Sequence, residues 1–228
     1  MEPNPADVAV MTTLEDSAGS EYPIRMFSAT VVSQGQPLIL HLGEVLRKMS
    51  DREFFEMCQM NRDWKFERTS DGDLIVMAPT GGQTGKRNFQ LTTLFGVWVS
   101  NDGAGIGFDS STGFTLPNGA KRSPDLAWVR RSRWEALTID EKEEFPPLCP
   151  DFVVELRSRS DSLERLQSKM EEYIENGAQL GWLIDARERK VYIYRPGEEV
   201  ICLENPDSIS GDPLLPGFEL DLRRLWDE

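Results

Sequence analysis

Two carboxylates interrupt apolar segments of this chain that have the composition of buried β-strands. Asp125 follows Pro124 at the start of the apolar run 126–129, and Glu155 stands inside the run 152–156. An ionised carboxylate taken out of water is costly unless it is paired, neutralised or bound to a metal ion. We therefore expect a specific partner for each of the two acids, in addition to a core formed by the surrounding residues.

The chain is acidic, which limits how it could bind nucleic acid. Its 228 residues carry a formal net charge of −14, whereas duplex-binding proteins present cations to the phosphates. Tight nonspecific DNA binding is therefore not expected, but a local basic patch is compatible with an acidic total. Two basic clusters flank the carboxylates: Lys121, Arg122, Arg130, Arg131 and Arg133, then Arg157, Arg159, Arg165 and Lys169.

The sequence predicts a cytoplasmic protein that does not associate with membranes. No apolar run approaches the length that spans a bilayer, and the first residues lack a basic region followed by an apolar stretch. The three cysteines are odd in number and far apart, which fits a reducing compartment better than a disulfide framework.

Periodicity predicts an α/β domain with a mixed central β-sheet and helices on its faces. Residues 1–35 show no period and are predicted to be a flexible N-terminal extension, whereas residues 36–228 are predicted to form one domain. Ser50 and Glu53 predict a capped helix ending near residue 61, and 84–100 has helical spacing. Asp71-Gly72 predicts a β-hairpin turn between strands over 65–69 and 74–78. A further helix is expected from a cap at Asp161 to a stop at Gly177.

Strand alternation brings the two acids within reach of one ion if their strands pair. Glu155 shares a face with Arg157, and Asp125 shares a face with Ala127 and Val129. A few hard oxygen ligands suit Mg²⁺ or Mn²⁺, which retain waters and accept phosphate oxygens. The pattern therefore indicates a divalent-metal site for phosphodiester chemistry.

Two cations complete the candidate site. Arg157 stays protonated in proteins, so it cannot act as a base, but it could hold a substrate phosphate. Lys169 lies at the flank of the apolar stripe of its predicted helix. It could reach the site at the sheet end, or it could be a surface lysine that lies beside the core.

These segments resemble the PD-(D/E)XK nuclease superfamily. They are Ser-Pro-Asp ending at Asp125, Val-Val-Glu-Leu-Arg-Ser around Glu155, and Lys169 in the following helix. Within it, the chain is similar to the Uma-two family of restriction-endonuclease-like proteins, from about Leu38 onward. Further similar segments are 66–68, 72–74, 173–177 and 181–185.

The resemblance implies a restriction-endonuclease-like fold and a metal-dependent endonuclease that acts on nucleic acid, DNA first of all. It makes Asp125 and Glu155 ligands of Mg²⁺ or Mn²⁺ and gives Lys169 the signature lysine role. Glu67 matches a further acidic position, and the resemblance also suggests a homodimer. The chain departs from the family after the second strand, where Arg159 replaces a proline in Ser-Pro-Ser-Asp.

Two other functions remain open from the sequence. The acidic total is compatible with a catalytically inactive interaction module on a nuclease scaffold, since a fold does not fix a function. Hydrolysis of a small phosphate ester would use the same metal site without binding DNA.

Overall fold

The computed structural model describes residues 28–30 and 37–226. Most of the predicted extension over residues 1–35 therefore lies outside the described residues. The chain divides into two compact units, residues 1–79 and 80–228. A single domain over 36–228 remains a prediction.

The N-terminal unit is an antiparallel sheet with two helices. Its strands are β1 (Ser28–Thr30), β2 (Leu38–His41), β3 (Lys65–Arg68) and β4 (Asp73–Met77), and its helices are α1 (Glu44–Lys48) and α2 (Asp51–Met60). The strand order is β1-β2-β4-β3, with every neighbouring pair antiparallel.

Local signals define α2 and the β3–β4 hairpin as the sequence predicted. The Ser50 side chain accepts a hydrogen bond from the Glu53 backbone N–H, and the Glu53 carboxylate accepts from the Ser50 backbone, which is a complete capping box. Gly72 in the hairpin turn has φ +88°, and a Cβ there would lie 2.2 Å from the Gly43 carbonyl oxygen. The turn therefore requires glycine at this position.

The C-terminal unit contains the remaining elements. Its helices are α3 (Gly82–Asp102), α4 (Arg131–Glu135), α5 (Ile139–Glu143), α6 (Leu163–Glu175) and a 3₁₀ turn (Leu222–Arg224). Its strands are β5 (Gly105–Asp109), β6 (Phe114–Thr115), β7 (Lys121–Arg122), β8 (Leu126–Arg130), β9 (Phe152–Leu156), β10 (Leu180–Asp185), β11 (Lys190–Tyr194), β12 (Ile201–Glu204), β13 (Ser208–Ser210) and β14 (Glu219–Asp221).

The main sheet of this unit is mixed and has the order β12-β11-β10-β9-β8-β5. Strands β9 and β10 are parallel and are connected through α6, whereas the other neighbouring pairs are antiparallel. The predicted fold class is α/β and restriction-endonuclease-like, with a mixed sheet flanked by helices. The structure has this architecture, so the prediction is confirmed.

The two faces of this sheet carry separate apolar clusters. On one face, Leu91 and Phe95 of α3 pack in the cluster that contains Phe152 and Val154. On the other face, α6 packs in the cluster that contains Val153. The predicted alternation along β9 is therefore confirmed, and every residue of β9 is buried.

The structure corrects one helix start and adds short helices, α1 and α5 among them. Ser162, not Asp161, caps α6: its side chain accepts from the Arg165 backbone N–H at 3.5 Å, while Asp161 accepts from the Ser158 backbone N–H at 2.8 Å. Asp161 closes the preceding loop, because a short carboxylate reaches its own local backbone as readily as a helix end. The helix α5 begins at a Thr138 capping box that the sequence analysis did not predict.

Glycine at position 105 is predicted to be required for packing of the edge strand β5. A Cβ on Gly105 would lie 2.3 Å from the ring of Trp128, which is 2% exposed. We expect Gly105→Ala to lower the free energy of unfolding by about 1–3 kcal/mol, as overpacking does. The matched control is Gly96→Ala in α3, where a Cβ meets nothing within 4 Å.

Urea unfolding of both variants checks this packing argument. Gly96→Ala should be neutral or stabilising by about 0.5–1 kcal/mol, because alanine is the better helix former. Equal stability of the Gly105→Ala variant and the unmodified chain would show that Trp128 does not limit the space.

Candidate active site

The pairing of β8 with β9 places the two predicted carboxylates side by side. These strands are antiparallel, with Leu126 opposite Val154 and Ala127 opposite Val153. One step beyond the first pair, this register sets Asp125 opposite Glu155. Directly opposed residues on antiparallel strands have Cβ atoms about 4.5–5.5 Å apart. The structure thus brings together the two acids that the sequence singled out.

Asp125 is held at the end of the strand pair by the backbone of β9. Its Oδ2 accepts the backbone N–H of Leu156 at 2.8 Å. Its Oδ1 lies 3.4 Å from the Asn88 side-chain nitrogen on α3, which is longer than a usual N–H···O hydrogen bond. One carboxylate oxygen therefore orients the side chain, and the other is only weakly engaged by Asn88.

Glu155 is buried and is bound by side chains of α6, which packs on the opposite face of the sheet from α3. It is 5% exposed, and its Oε1 lies 2.7 Å from the Lys169 ammonium. The Tyr173 hydroxyl donates to the same oxygen at 3.2 Å. Lys169 is therefore not a solvated surface lysine: it reaches the predicted site, and its ammonium also lies 5.8 Å from the centre of the Tyr173 ring.

Tyr173 contacts the candidate site, whereas the sequence placed it in the apolar stripe of its helix and in the family-like segment 173–177 without predicting a site role. The signal was its spacing from Lys169, because residues four apart on a helix project from the same face. A buried tyrosine also needs a partner for its hydroxyl, and Glu155 supplies one.

Arg157, predicted to bind substrate phosphate, has partners within the chain. Its guanidinium forms an ion pair with Asp185, which is 1% exposed, and its Nε donates to the Asp161 carbonyl at 3.3 Å. The Arg157 backbone N–H donates to the Ile184 carbonyl at 2.9 Å. These contacts fix the end of β9 against β10, and phosphate binding by Arg157 remains a prediction.

Glu67, the further acidic position, lies on β3 of the N-terminal unit and is 2% exposed. This burial is unusual, because glutamate side chains are almost never fully buried unless they are paired. A role for Glu67 in metal binding or in orienting water remains a prediction.

Most cations of the first basic cluster take part in internal ion pairs. Arg122 pairs with Glu172, Arg131 lies 3.9 Å from Glu135, and Lys121 is 1% exposed. The remaining pairs share one acid: Arg130 and Arg133 lie 3.5 and 3.0 Å from the buried Asp151. These side chains hold the strands and α4 together, which is a structural role.

The second basic cluster is more accessible near Glu155. Arg159 is exposed in the loop between β9 and α6, and Arg165 in the first turn of α6 is half-buried. Neither arginine has an ion pair within the ranges that the structure covers. Arg159 and Arg165 are therefore the cations of this cluster that remain accessible to a phosphate.

Two of the three cysteines are unsuited to nucleophilic chemistry. All three cysteines are free thiols. Burial raises the pKa of Cys58 to about 11 and that of Cys149 to about 12. Because the thiolate is the nucleophile, these two residues are inert near neutral pH.

The donors at positions 125 and 155 fit a hard divalent cation only in part. Within 28–30 and 37–226, no group of three or more histidine, cysteine, aspartate or glutamate side chains is placed to hold a metal ion. Two carboxylates with water in the remaining positions match Mg²⁺ or Mn²⁺ better than zinc.

None of the helices over residues 28–30 and 37–226 is both long and apolar enough to cross a membrane.

The mixed sheet, the paired carboxylates and the helix lysine together define a nuclease-like class of protein. A family model, Uma2, described as "Putative restriction endonuclease", matches residues 51–223. The chain belongs to this family, which confirms the resemblance drawn from the sequence.

A solved structure supports the same fold. The crystal structure of a putative nuclease belonging to DUF820 from Anabaena variabilis ATCC 29413 aligns with a TM-score of 0.60. It shares 19% identity with this chain, and the alignment covers 71% of this chain and 89% of that one. A search of curated proteins found no match.

The Glu155–Lys169 pair is predicted to be coupled in stability. Lys169→Met removes one partner of a buried pair, so we expect it to destabilise the chain. Glu155→Gln in the same chain should recover part of that loss, giving a coupling free energy of about 1–3 kcal/mol in a double-mutant cycle. Urea unfolding of the four chains measures it, and additive effects would show that the pair is not coupled.

Proposed function

We propose that this chain is an endonuclease that hydrolyses phosphodiester bonds of DNA with Mg²⁺ or Mn²⁺. The single observation that carries the proposal is the register of β8 and β9, which sets Asp125 opposite Glu155. The Lys169 ammonium forms an ion pair with Glu155. The family of the chain is also one of restriction-endonuclease-like proteins. Two acids and a lysine at one strand end are suited to phosphoryl chemistry.

Asp125 and Glu155 would hold the divalent ion. When bound, such an ion polarises the phosphoryl group and lowers the pKa of a coordinated water. The Leu156 backbone N–H keeps Asp125 oriented before any ion binds. This fixed backbone donor restricts the rotation of the carboxylate, so Asp125 is prepared to act as a ligand.

Lys169 and Tyr173 would orient Glu155 and set the charge around it. Both side chains donate to Oε1, which restricts the rotation of the carboxylate. The Lys169 ammonium also places a positive charge where negative charge develops on a phosphoryl group under attack. Its three N–H donors allow it to keep Glu155 and orient a water at the same time.

DNA would approach through the loop between β9 and α6. Arg159 is exposed there, and Arg165 follows in the first turn of the helix. A net charge of −14 leaves little attraction elsewhere, so binding should be local and sensitive to salt. We also propose a cytoplasmic homodimer, which sedimentation equilibrium showing only monomer at assay concentration would refute.

An inactive interaction module is the alternative that one observation favours. Glu155 Oε1 is already bound by Lys169 and Tyr173, and the part of the chain described here has no group of three metal-binding acids, histidines or cysteines. Such a module would not bind Mn²⁺ at millimolar concentration in calorimetry. Measurable Mn²⁺ binding that depends on Asp125 would exclude this alternative.

Removing any of the three site residues should abolish cleavage. We expect Asp125→Asn, Glu155→Gln and Lys169→Ala each to lower the cleavage rate of duplex and single-stranded DNA at least about 100-fold. The matched control is Glu164→Gln, an exposed acid in the first turn of α6. Rates are measured with Mn²⁺ on chains of confirmed thermal stability, and full activity in all three variants would remove the proposal.

Arg159 should contribute to DNA affinity without taking part in the chemistry. In the Glu155→Gln background we expect Arg159→Ala to weaken duplex binding and to reduce the slope of log K against log salt by about 0.9. Fluorescence anisotropy over a salt series measures this slope. The control is Arg131→Ala, since that arginine lies near Glu135. An unchanged slope would place the DNA elsewhere.

A further inference from the structure

The Asn88 side chain on α3 carries a buried oxygen that has no hydrogen-bond partner. Its nitrogen lies 3.4 Å from Asp125 Oδ1, while its Oδ1 is sealed from solvent without a donor among the residues that the structure describes. A buried acceptor without a donor loses its hydration and gains nothing in return. Such an atom calls for a specific explanation, and a bound ion or water is one of them.

The position of Asn88 connects this orphan oxygen to the candidate site. The distance from the Asn88 side-chain nitrogen to Asp125 Oδ1 is long for a hydrogen bond, so this contact restrains the Asn88 side chain only weakly. The nitrogen and oxygen of one amide are little more than 2 Å apart. The orphan oxygen therefore lies close to the carboxylate that is the proposed ligand.

The two carboxylates leave coordination positions of a six-coordinate divalent ion open to a further protein oxygen. The described side chains supply Asp125 and Glu155 but no third acid, histidine or cysteine at this position. Asparagine carbonyls are accepted ligands of hard divalent cations. A neutral amide also adds no negative charge, so two carboxylates and a divalent ion remain balanced and do not repel a substrate phosphate.

We propose that the Asn88 side-chain oxygen is a third protein ligand of the divalent cation, beside Asp125 and Glu155. This inference rests on the proposed function, because it takes the two carboxylates as the other ligands. Asn88 thereby binds the ion from α3, while Lys169 reaches Glu155 from α6 on the other face of the sheet. The competing role is positioning alone, in which the amide only donates its N–H to Asp125.

Calorimetric titration of the full chain with Mn²⁺ separates these roles without using activity. Asn88→Leu keeps the approximate shape of the side chain and removes its oxygen Oδ1. We expect this variant to weaken Mn²⁺ binding at least about 10-fold. Asn88→Asp retains an oxygen ligand but cannot donate an N–H, so it should bind Mn²⁺ at least as tightly as the unmodified chain.

Gln90 supplies matched controls on the same helix. Its Oε1 is also buried and has no partner in the described structure, but no contact joins it to Asp125. Gln90→Leu should leave Mn²⁺ binding within twofold, and Gln90→Asp controls for an added charge on α3. Thermal unfolding without metal confirms that each variant folds, and if Asn88→Leu does not fold, Asn88→Asp alone decides.

The outcomes distinguish this inference from the proposed function. If Asp125→Ala abolishes Mn²⁺ binding while Asn88→Leu binds like the unmodified chain, Asn88 is not a ligand and the proposed function stands. If Asn88→Asp binds as weakly as Asn88→Leu, the amide acts only as a donor and the ligand role is overturned. Absence of Mn²⁺ binding to the unmodified chain overturns both proposals.

Discussion

The antiparallel pairing of β8 with β9 is the constraint on which the candidate site depends. Its register sets Asp125 opposite Glu155, and the Leu156 N–H of the second strand binds Asp125 at 2.8 Å. A slip of one residue would turn one strand over and separate the acids. Both faces of the pair are packed into apolar clusters, so the core that stabilises the sheet also fixes the site.

The same arrangement explains why a buried charge is tolerated at position 155. Replacing a buried ion pair by apolar residues is often neutral or stabilising, so the pair is poorly explained by stability alone. Glu155 is nonetheless bound by Lys169 and Tyr173 from α6, while Asn88 of α3 reaches Asp125. Helices on opposite faces of one sheet therefore converge on one strand end, as a site for chemistry requires.

The sequence could predict the parts of this arrangement that follow from local rules. Strand alternation, the α2 capping box and the hairpin at Gly72 depend on neighbouring residues, and each is confirmed. Ion-pair partners depend on tertiary contacts, so the spacing of charges could not show that Arg157 binds Asp185. The basic residues near 130 looked like a patch, because the buried Asp151 that binds two of them follows many residues later.

Anomalous scattering from one Mn²⁺-soaked crystal would test the central claim most directly. The account predicts a single strong peak in contact with carboxylate oxygens of both Asp125 and Glu155, within reach of the Lys169 ammonium. A peak that touches only one of these acids, or no peak at the β8–β9 end at saturating Mn²⁺, would contradict it.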